Sequence, residues 1–184
     1  LHMADTDYPL DIIHDYTLEK TEAMAFCEKL MADKVTATLD DLSQNFKEVL
    51  PFRAAALYAL LKTGVIERIR FATFGLREGV LFSQLAACPV LDDPLKAFAT
   101  EQAKRQGRGV AYSKALAKWC KALMPETSSR FIEVAALFSE TGWRAHPLYR
   151  AQSHFNRVLG GAYVGASHSF RLKLAFAAYY GHGL

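Results

Sequence analysis

Residues 68–82 read RIRFATFGLREGVLF: a short alternating segment leads through a glycine into an apolar, helix-like pattern. The alternation places Ile69 and Phe71 on one side and arginines on the other, which predicts a strand with one covered face. Gly75 is expected to turn the chain into a helix. Because the first turn of a helix has unpaired N–H groups that attract anions, this turn is a candidate site, with Arg77 as its phosphate-binding residue or as a local structural contact.

The segments before this turn predict an α/β arrangement. Residues 8–18 favour a strand, residues 21–33 an amphipathic helix, and a second helix is expected to begin at Pro51 and to end near Gly64. With the strand over residues 65–73, the order is strand, helix, helix, strand, helix. Two strands are too few for a complete sheet, so this region is interpreted as the end of an α/β domain.

The pattern changes near residue 90, where turn-forming residues are followed by helical periodicity that continues to the end. We therefore divide the chain into residues 1–90 and 91–184. In the second part an amphipathic helix is predicted whose apolar face consists of Tyr112, Ala115, Leu116, Trp119, Cys120 and Leu123. A further helix, capped by Thr127 or Ser128, is expected to bury Phe131, Val134, Ala135 and Phe138.

A basic strip accompanies the first of these helices. Lys114, Lys118 and Lys121 share one helical face, opposite Trp119. A polyanion would be attracted to such a strip through many salt-screened contacts, and a solvated helix face is the alternative interpretation. Arg144 and Arg150 are expected to extend the basic surface, as are Arg157 and Arg171.

Composition excludes several classes of protein. The 184 residues are 51% hydrophobic and 22% charged, which is typical of a globular protein. Apolar runs fall short of the roughly 20 residues that span a bilayer, and the first residues lack the pattern of a signal peptide, so a cytoplasmic protein without a membrane partner is expected. The three dispersed cysteines indicate buried thiols rather than disulfides or a zinc site. The net charge of +3 is too small to indicate a nucleic-acid partner.

Two segments resemble one protein family. The run GLREGVL at residues 75–81, within the segment 53–82, is similar to a segment of the exopolyphosphatase / guanosine pentaphosphate phosphohydrolase family. Residues 135–147, AALFSETGWRAHP, with Tyr149-Arg150 and with GASH at residues 165–168, resemble the C-terminal helical domain of the same family. The chain is accordingly interpreted as a C-terminal fragment of a larger protein.

The resemblance implies a fold and an activity. It implies the end of an actin-like (ribonuclease H-like) α/β lobe followed by an all-helical, HD-like domain, so the fold class is α+β to mostly α. The implied reaction is the release of terminal phosphate from inorganic polyphosphate or guanosine pentaphosphate, with magnesium as cofactor, in a homodimeric enzyme. The family's catalytic glutamate and phosphate loops find no counterpart here, so we expect this fragment alone to be inactive and to bind polyanion or support the dimer.

Metal binding is doubtful on the residues present. Where an HD-type site would have its His-Asp pair, the chain has Ser139 and Glu140, and a serine does not replace imidazole as a ligand. His146, His154, His168 and His182 are dispersed, which favours helix caps or solvent-facing side chains over a ligand set. The alternative function is a non-enzymatic helical binding module, which an exposed apolar patch would favour.

Overall fold

The computed structural model describes residues 6–10, 12–32, 43–84 and 92–183. Within these ranges the chain forms eight α-helices, a short 3-10 helix and one two-stranded sheet. The chain divides into two compact units, Leu1–Thr73 and Phe74–Leu184. The predicted fold class, a partial α/β part followed by a helical domain, is confirmed. The predicted domain division after residue 90 and the thiol of Cys88 lie outside the described residues.

The first unit contains a small sheet and two helices. Its elements are β1 (Thr17–Glu19), α1 (Lys20–Met31), α2 (Gln44–Lys62) and β2 (Arg68–Arg70). The strands are antiparallel, with Leu18 opposite Ile69. Leu18, Ala23 and Leu61 form one buried cluster, against which Ile69 packs. As predicted, Gly64 follows the second helix with a positive φ of 82°, a conformation that glycine adopts readily.

Two predictions for this unit are wrong in extent. The first strand is much shorter than residues 8–18, because Asp15 has a φ of 60° and turns the chain just before β1. Phe71 is 39% exposed rather than inward-facing; it follows β2, and its ring lies 6.1 Å from that of Tyr16.

The second helix also begins earlier than expected. Pro51 lies inside α2 rather than at its start. A proline within a helix removes one backbone hydrogen bond. Leu50 and Ala54, on either side of it, are buried against Cys27 and Leu30 of α1, and this packing favours a helix that continues through the proline.

The second unit is helical. Its elements are α3 (Leu76–Gln84), α4 (Pro94–Gln106), α5 (Val110–Leu123), α6 (Ser129–Phe138), the 3-10 helix (Pro147–Tyr149), α7 (Arg150–Leu159) and α8 (His168–Tyr180). Helix α6 is central, since it packs against α4, α5 and α8. Throughout the described ranges, each helix is too short or too polar to span a membrane.

A polar clamp fixes the start of α4. Asp93 is the N-cap residue of α4, and its carboxylate accepts a hydrogen bond from the backbone N–H of Lys96. Arg130 of α6 donates to both oxygens of the same carboxylate, at 2.6 and 3.0 Å, and to the carbonyl of Gly165 at 2.7 Å. These hydrogen bonds from Arg130 lower the pKa of Asp93. The clamp therefore fixes α4 relative to α6.

Helix α5 packs through a face that coincides only in part with the one predicted. Its buried residues are Ser113 and Ala117, whereas Trp119 is 62% exposed and Leu123 is 60% exposed. Small side chains allow the close approach of α5 to Ile132 and Ala136 of α6, so they occupy the contact although they contribute less to the hydrophobic periodicity. The predicted apolar stripe is therefore divided: Leu116 and Cys120 pack against this contact, whereas Trp119 and Leu123 face outward. In α6, Val134 and Phe138 are buried as predicted.

Candidate functional site

A pocket of about 370 Å³ lies among α4, α5 and α6. Its lining consists of Lys96, Thr100, Val110, Ser113, Lys114, Ala117, Lys118, Lys121, Glu133 and Leu137. Four lysines and one glutamate give this lining an excess of three positive charges. A concave, strongly basic surface of this kind suits an anion.

Three of the lysines come from one helix. Lys114, Lys118 and Lys121 are separated by four and three residues, which brings their side chains to the same side of α5. Because Ser113 and Ala117 are the residues that α5 buries, the lysines lie at the edge of the contact and reach into the pocket. The predicted common face therefore exists, while its role in binding stays a prediction.

Two further charged residues of the pocket were missed by the sequence analysis. Lys96 comes from the first turn of α4, and Glu133 comes from α6. Both carboxylate oxygens of Glu133 are engaged, Oε2 by Nζ of Lys96 and Oε1 by Nζ of Lys121. The hydrogen bonds from Lys121 and Lys96 lower the pKa of Glu133. Glu133 could have been noticed as a lone acid in the apolar run FIEVAALF, residues 131–138.

Lys114 and Lys118 differ from the other two lysines. Both side chains are exposed, and among the residues that the structure describes neither forms an ion pair. Their ammonium groups are thus available to an external anion, whereas Lys96 and Lys121 already share a counter-ion. The pocket combines two available positive charges with two that share the single negative charge of Glu133.

The predicted arginines do not line this pocket. Arg77 is exposed in the first turn of α3. The neighbouring Glu78 carboxylate accepts a hydrogen bond from the backbone N–H of Gly75 at 2.8 Å. Arg144 lies over the ring of Trp143, 5.6 Å from its centroid, and Arg150 donates to the carbonyl of Ala145 at 3.2 Å.

The other two arginines are also used within the fold. Arg157 donates to the carbonyl of Thr141 and to the side chain of Gln106. Arg171 is only 3% exposed and donates to the carbonyls of Leu159, Gly161 and Tyr163. The expectation that Arg171 extends the basic surface is therefore wrong, because its guanidinium is buried and donates hydrogen bonds to backbone carbonyls.

Two of the histidines come together. Nδ1 of His154 lies 2.9 Å from Nε2 of His182, and Nε2 of His154 lies 3.0 Å from Oγ1 of Thr141. The hydroxyl of Thr141 donates its hydrogen to the carbonyl of Phe138, so it accepts from His154, whose Nδ1 then accepts from His182. Burial, followed by repulsion from His182, lowers the pKa of His154 to about 4. The prediction of a solvent-facing or capping role is wrong for His154, which is fully buried.

The remaining histidines are separate from this pair in the contacts given for the described residues. The Nδ1 atom of His146 accepts the backbone N–H of Leu148 at 3.3 Å, which is the predicted capping role. His168 is the first residue of α8.

The position of the expected HD pair does not fit a metal ion. Ser139 donates to the carbonyl of Ala136, and the carboxylate of Glu140 faces Arg108 at 3.5 Å and the hydroxyl of Tyr112 at 3.4 Å. In the described ranges, no group of three or more His, Cys, Asp or Glu residues is placed to hold a metal ion. These contacts make Glu140 a structural ion-pair partner.

The comparison with protein families addresses the helical half of the chain. Residues 95–184 match the family model described as "Exopolyphosphatase, C-terminal". No curated protein matches the chain significantly. The match begins at the second residue of α4 and includes every residue that lines the lysine pocket. Residues 95–184 are therefore similar to the exopolyphosphatase C-terminal domain family, in agreement with the resemblance seen in residues 135–147.

Proposed function

We propose that this chain is the C-terminal part of an exopolyphosphatase-type phosphatase and that its helical domain binds inorganic polyphosphate in the lysine pocket. The observation that carries the proposal is the convergence of four lysines from α4 and α5 on one pocket. Lysine is a compact point charge on a flexible stem, so several lysines suit a flexible polyanion better than one fixed phosphate geometry. In this proposal the domain holds the substrate, and the rest of the enzyme performs the hydrolysis.

The lining favours polyphosphate over guanosine pentaphosphate. Proteins bind unpaired bases chiefly by stacking them on aromatic rings or guanidinium planes and by hydrogen bonding to their edges. Of the described residues that line the pocket, none is aromatic and none is an arginine, asparagine or glutamine. The pocket therefore offers charge for phosphates and little for a guanine.

A binding role rather than a catalytic one follows from the polar groups present. The carboxylate of Glu133 is occupied by two lysines, and the hydroxyl of Ser113 donates to the carbonyl of Gly109 at 3.2 Å. Neither group is arranged to activate water. The family resemblance implies magnesium for the whole enzyme, and no described residue is assigned to hold this metal. The homodimer is part of the same proposal.

The test is direct binding of long-chain polyphosphate to the protein at increasing chloride concentration. The Lys114→Glu/Lys118→Glu variant should bind about tenfold more weakly or worse, because it reverses the two available charges. The matched control is Lys104→Glu/Lys173→Glu, which makes the same charge change at two exposed lysines away from the pocket. Equal weakening by both variants would indicate non-specific attraction to net charge, and absence of binding to the wild type at low salt would refute the proposal.

A specific observation keeps the alternative of a protein-binding module open. Trp119, Leu123 and Met124 are 62%, 60% and 45% exposed at the outer side and end of α5. Exposed tryptophans are enriched among the residues that dominate protein interfaces. If this surface binds a protein partner, Trp119→Ala should abolish that binding and leave polyphosphate binding unchanged.

A further inference from the structure

Glu133 is the one acidic residue of the pocket lining among the described residues, and its position separates the four lysines into two classes. Its side chain is 29% exposed, and it projects from α6 between Lys96 of α4 and Lys121 of α5. An anion that enters the pocket meets two available ammonium groups and two that are already paired with a carboxylate.

We infer that Glu133 is a built-in competitor for the pocket's lysines, which sets the affinity of the site and selects anions of high charge and length. The inference rests on the proposed function. An anion with one phosphoryl group can contact Lys114 and Lys118, but it leaves the Glu133 pairs intact. A longer polyanion presents several charges at once, so its oxygens can replace the Glu133 carboxylate as the partners of Lys96 and Lys121.

Selection for longer anions depends on the negative charge that Glu133 keeps when Lys96 and Lys121 move to the ligand. Once Lys96 and Lys121 turn to the ligand, the Glu133 carboxylate keeps its negative charge, because a glutamate side chain is ionised at neutral pH even without cationic partners, and it repels the phosphates beside it. This repulsion opposes every ligand. Only a ligand that gains several lysine contacts at once offsets it.

A purely structural role of Glu133, as a link among three helices, makes a different prediction. Loss of a structural ion pair would lower the stability of the domain and leave ligand affinity unchanged or weakened. Loss of a competitor would strengthen ligand binding whatever its effect on stability. Affinity and its salt dependence therefore distinguish the two roles.

The experiment compares wild type, Glu133→Gln and Glu126→Gln, using orthophosphate, tripolyphosphate and long-chain polyphosphate as ligands in titrations over a chloride series. Glu126 is exposed, lies outside the pocket, and its substitution makes the same change in net charge. Thermal unfolding of each protein is measured alongside. Should the glutamine variant be unstable, Glu133→Met, of similar volume and without a hydrogen-bonding group, replaces it.

Glu133→Gln should bind tripolyphosphate on the order of tenfold more tightly, with a smaller gain for long chains, so that selection for length falls. For tripolyphosphate, the slope of the logarithm of affinity against the logarithm of salt concentration should steepen, since Lys96 and Lys121 join the contact once Glu133 no longer holds them. Glu126→Gln should change affinity by about twofold or less. Equal or weaker binding by Glu133→Gln, with an unchanged slope, would overturn the role of Glu133 while the proposed function stands. Failure of every protein to bind would instead overturn the proposed function.

Discussion

Arg130 and Asp93 form a two-bond ion pair that joins α6 to the first turn of α4, at 2.6 Å from Nε to Oδ2 and 3.0 Å from Nη2 to Oδ1. The same carboxylate caps α4 and so fixes the turn that carries Lys96. One residue pair thus positions two walls of the lysine pocket.

The first prediction concerns this clamp. Asp93→Ala should lower the free energy of unfolding by about 1–3 kcal/mol, because it removes a helix cap and leaves the Arg130 guanidinium without its carboxylate. Urea unfolding measures the change. The neighbouring Asp92→Ala, at an exposed position, serves as the control and should change stability by less than about 0.5 kcal/mol. An equal loss in both variants would mean that the clamp contributes nothing specific.

The second prediction is a close-packing effect at Gly142. A Cβ atom added at Gly142 would lie 2.5 Å from Cγ of His154, a buried ring held by hydrogen bonds on both nitrogens. Gly142→Ala should therefore destabilise the domain by about 1–3 kcal/mol. Gly79→Ala in α3, where an added Cβ meets nothing within 4 Å, should be neutral or stabilising by up to about 1 kcal/mol. Thermal or urea unfolding of the two variants gives the comparison, and a harmless Gly142→Ala would contradict the described packing.

The third prediction is a dependence of stability on pH. The pKa of His154 is about 4 in the folded protein, below its ordinary 6.5, so between these values the unfolded chain binds more protons. Stability from this group is fully present above pH 6.5 and is lost as the pH falls toward about 4, by on the order of 3 kcal/mol. The lowered pKa of His182 acts in the same direction.

The measurement for this third prediction is urea unfolding at a series of pH values. His154→Gln should be less stable at neutral pH, because its hydrogen bonds to Thr141 and His182 are disturbed, and should lose less stability between pH 6.5 and pH 4. His146→Gln, at an exposed position, should keep the wild-type slope. A wild-type protein with constant stability over this range would contradict the buried, neutral His154.

The fold and the site were predictable to different degrees, for physical reasons. The lysines of α5 were predicted to share a face because residues four and three apart on a helix are neighbours. Lys96 and Glu133 come from other helices and meet them only through the packing of α4 and α6 against α5, which sequence spacing does not specify.

The errors have similar origins. Hydrophobic periodicity predicted that Trp119 is buried in α5. The residues that α5 buries are instead Ser113 and Ala117, whose small side chains allow close helix packing. Pro51 indicated a helix start, whereas burial of its neighbours extended the helix through it. The histidine pair depends on a contact between α7 and the chain after α8, 28 residues apart, and no local pattern signals it.

The measurement that tests the location of polyphosphate most directly is a titration of the isotopically labelled protein, followed by backbone amide chemical shifts. Binding in the lysine pocket should give saturable shifts concentrated at Lys96, Lys114, Lys118, Lys121 and Glu133. Shifts concentrated instead near Arg144 and Arg150, or a lack of saturable shifts in the presence of bound polyphosphate, would contradict the assignment of the lysine pocket as the binding site.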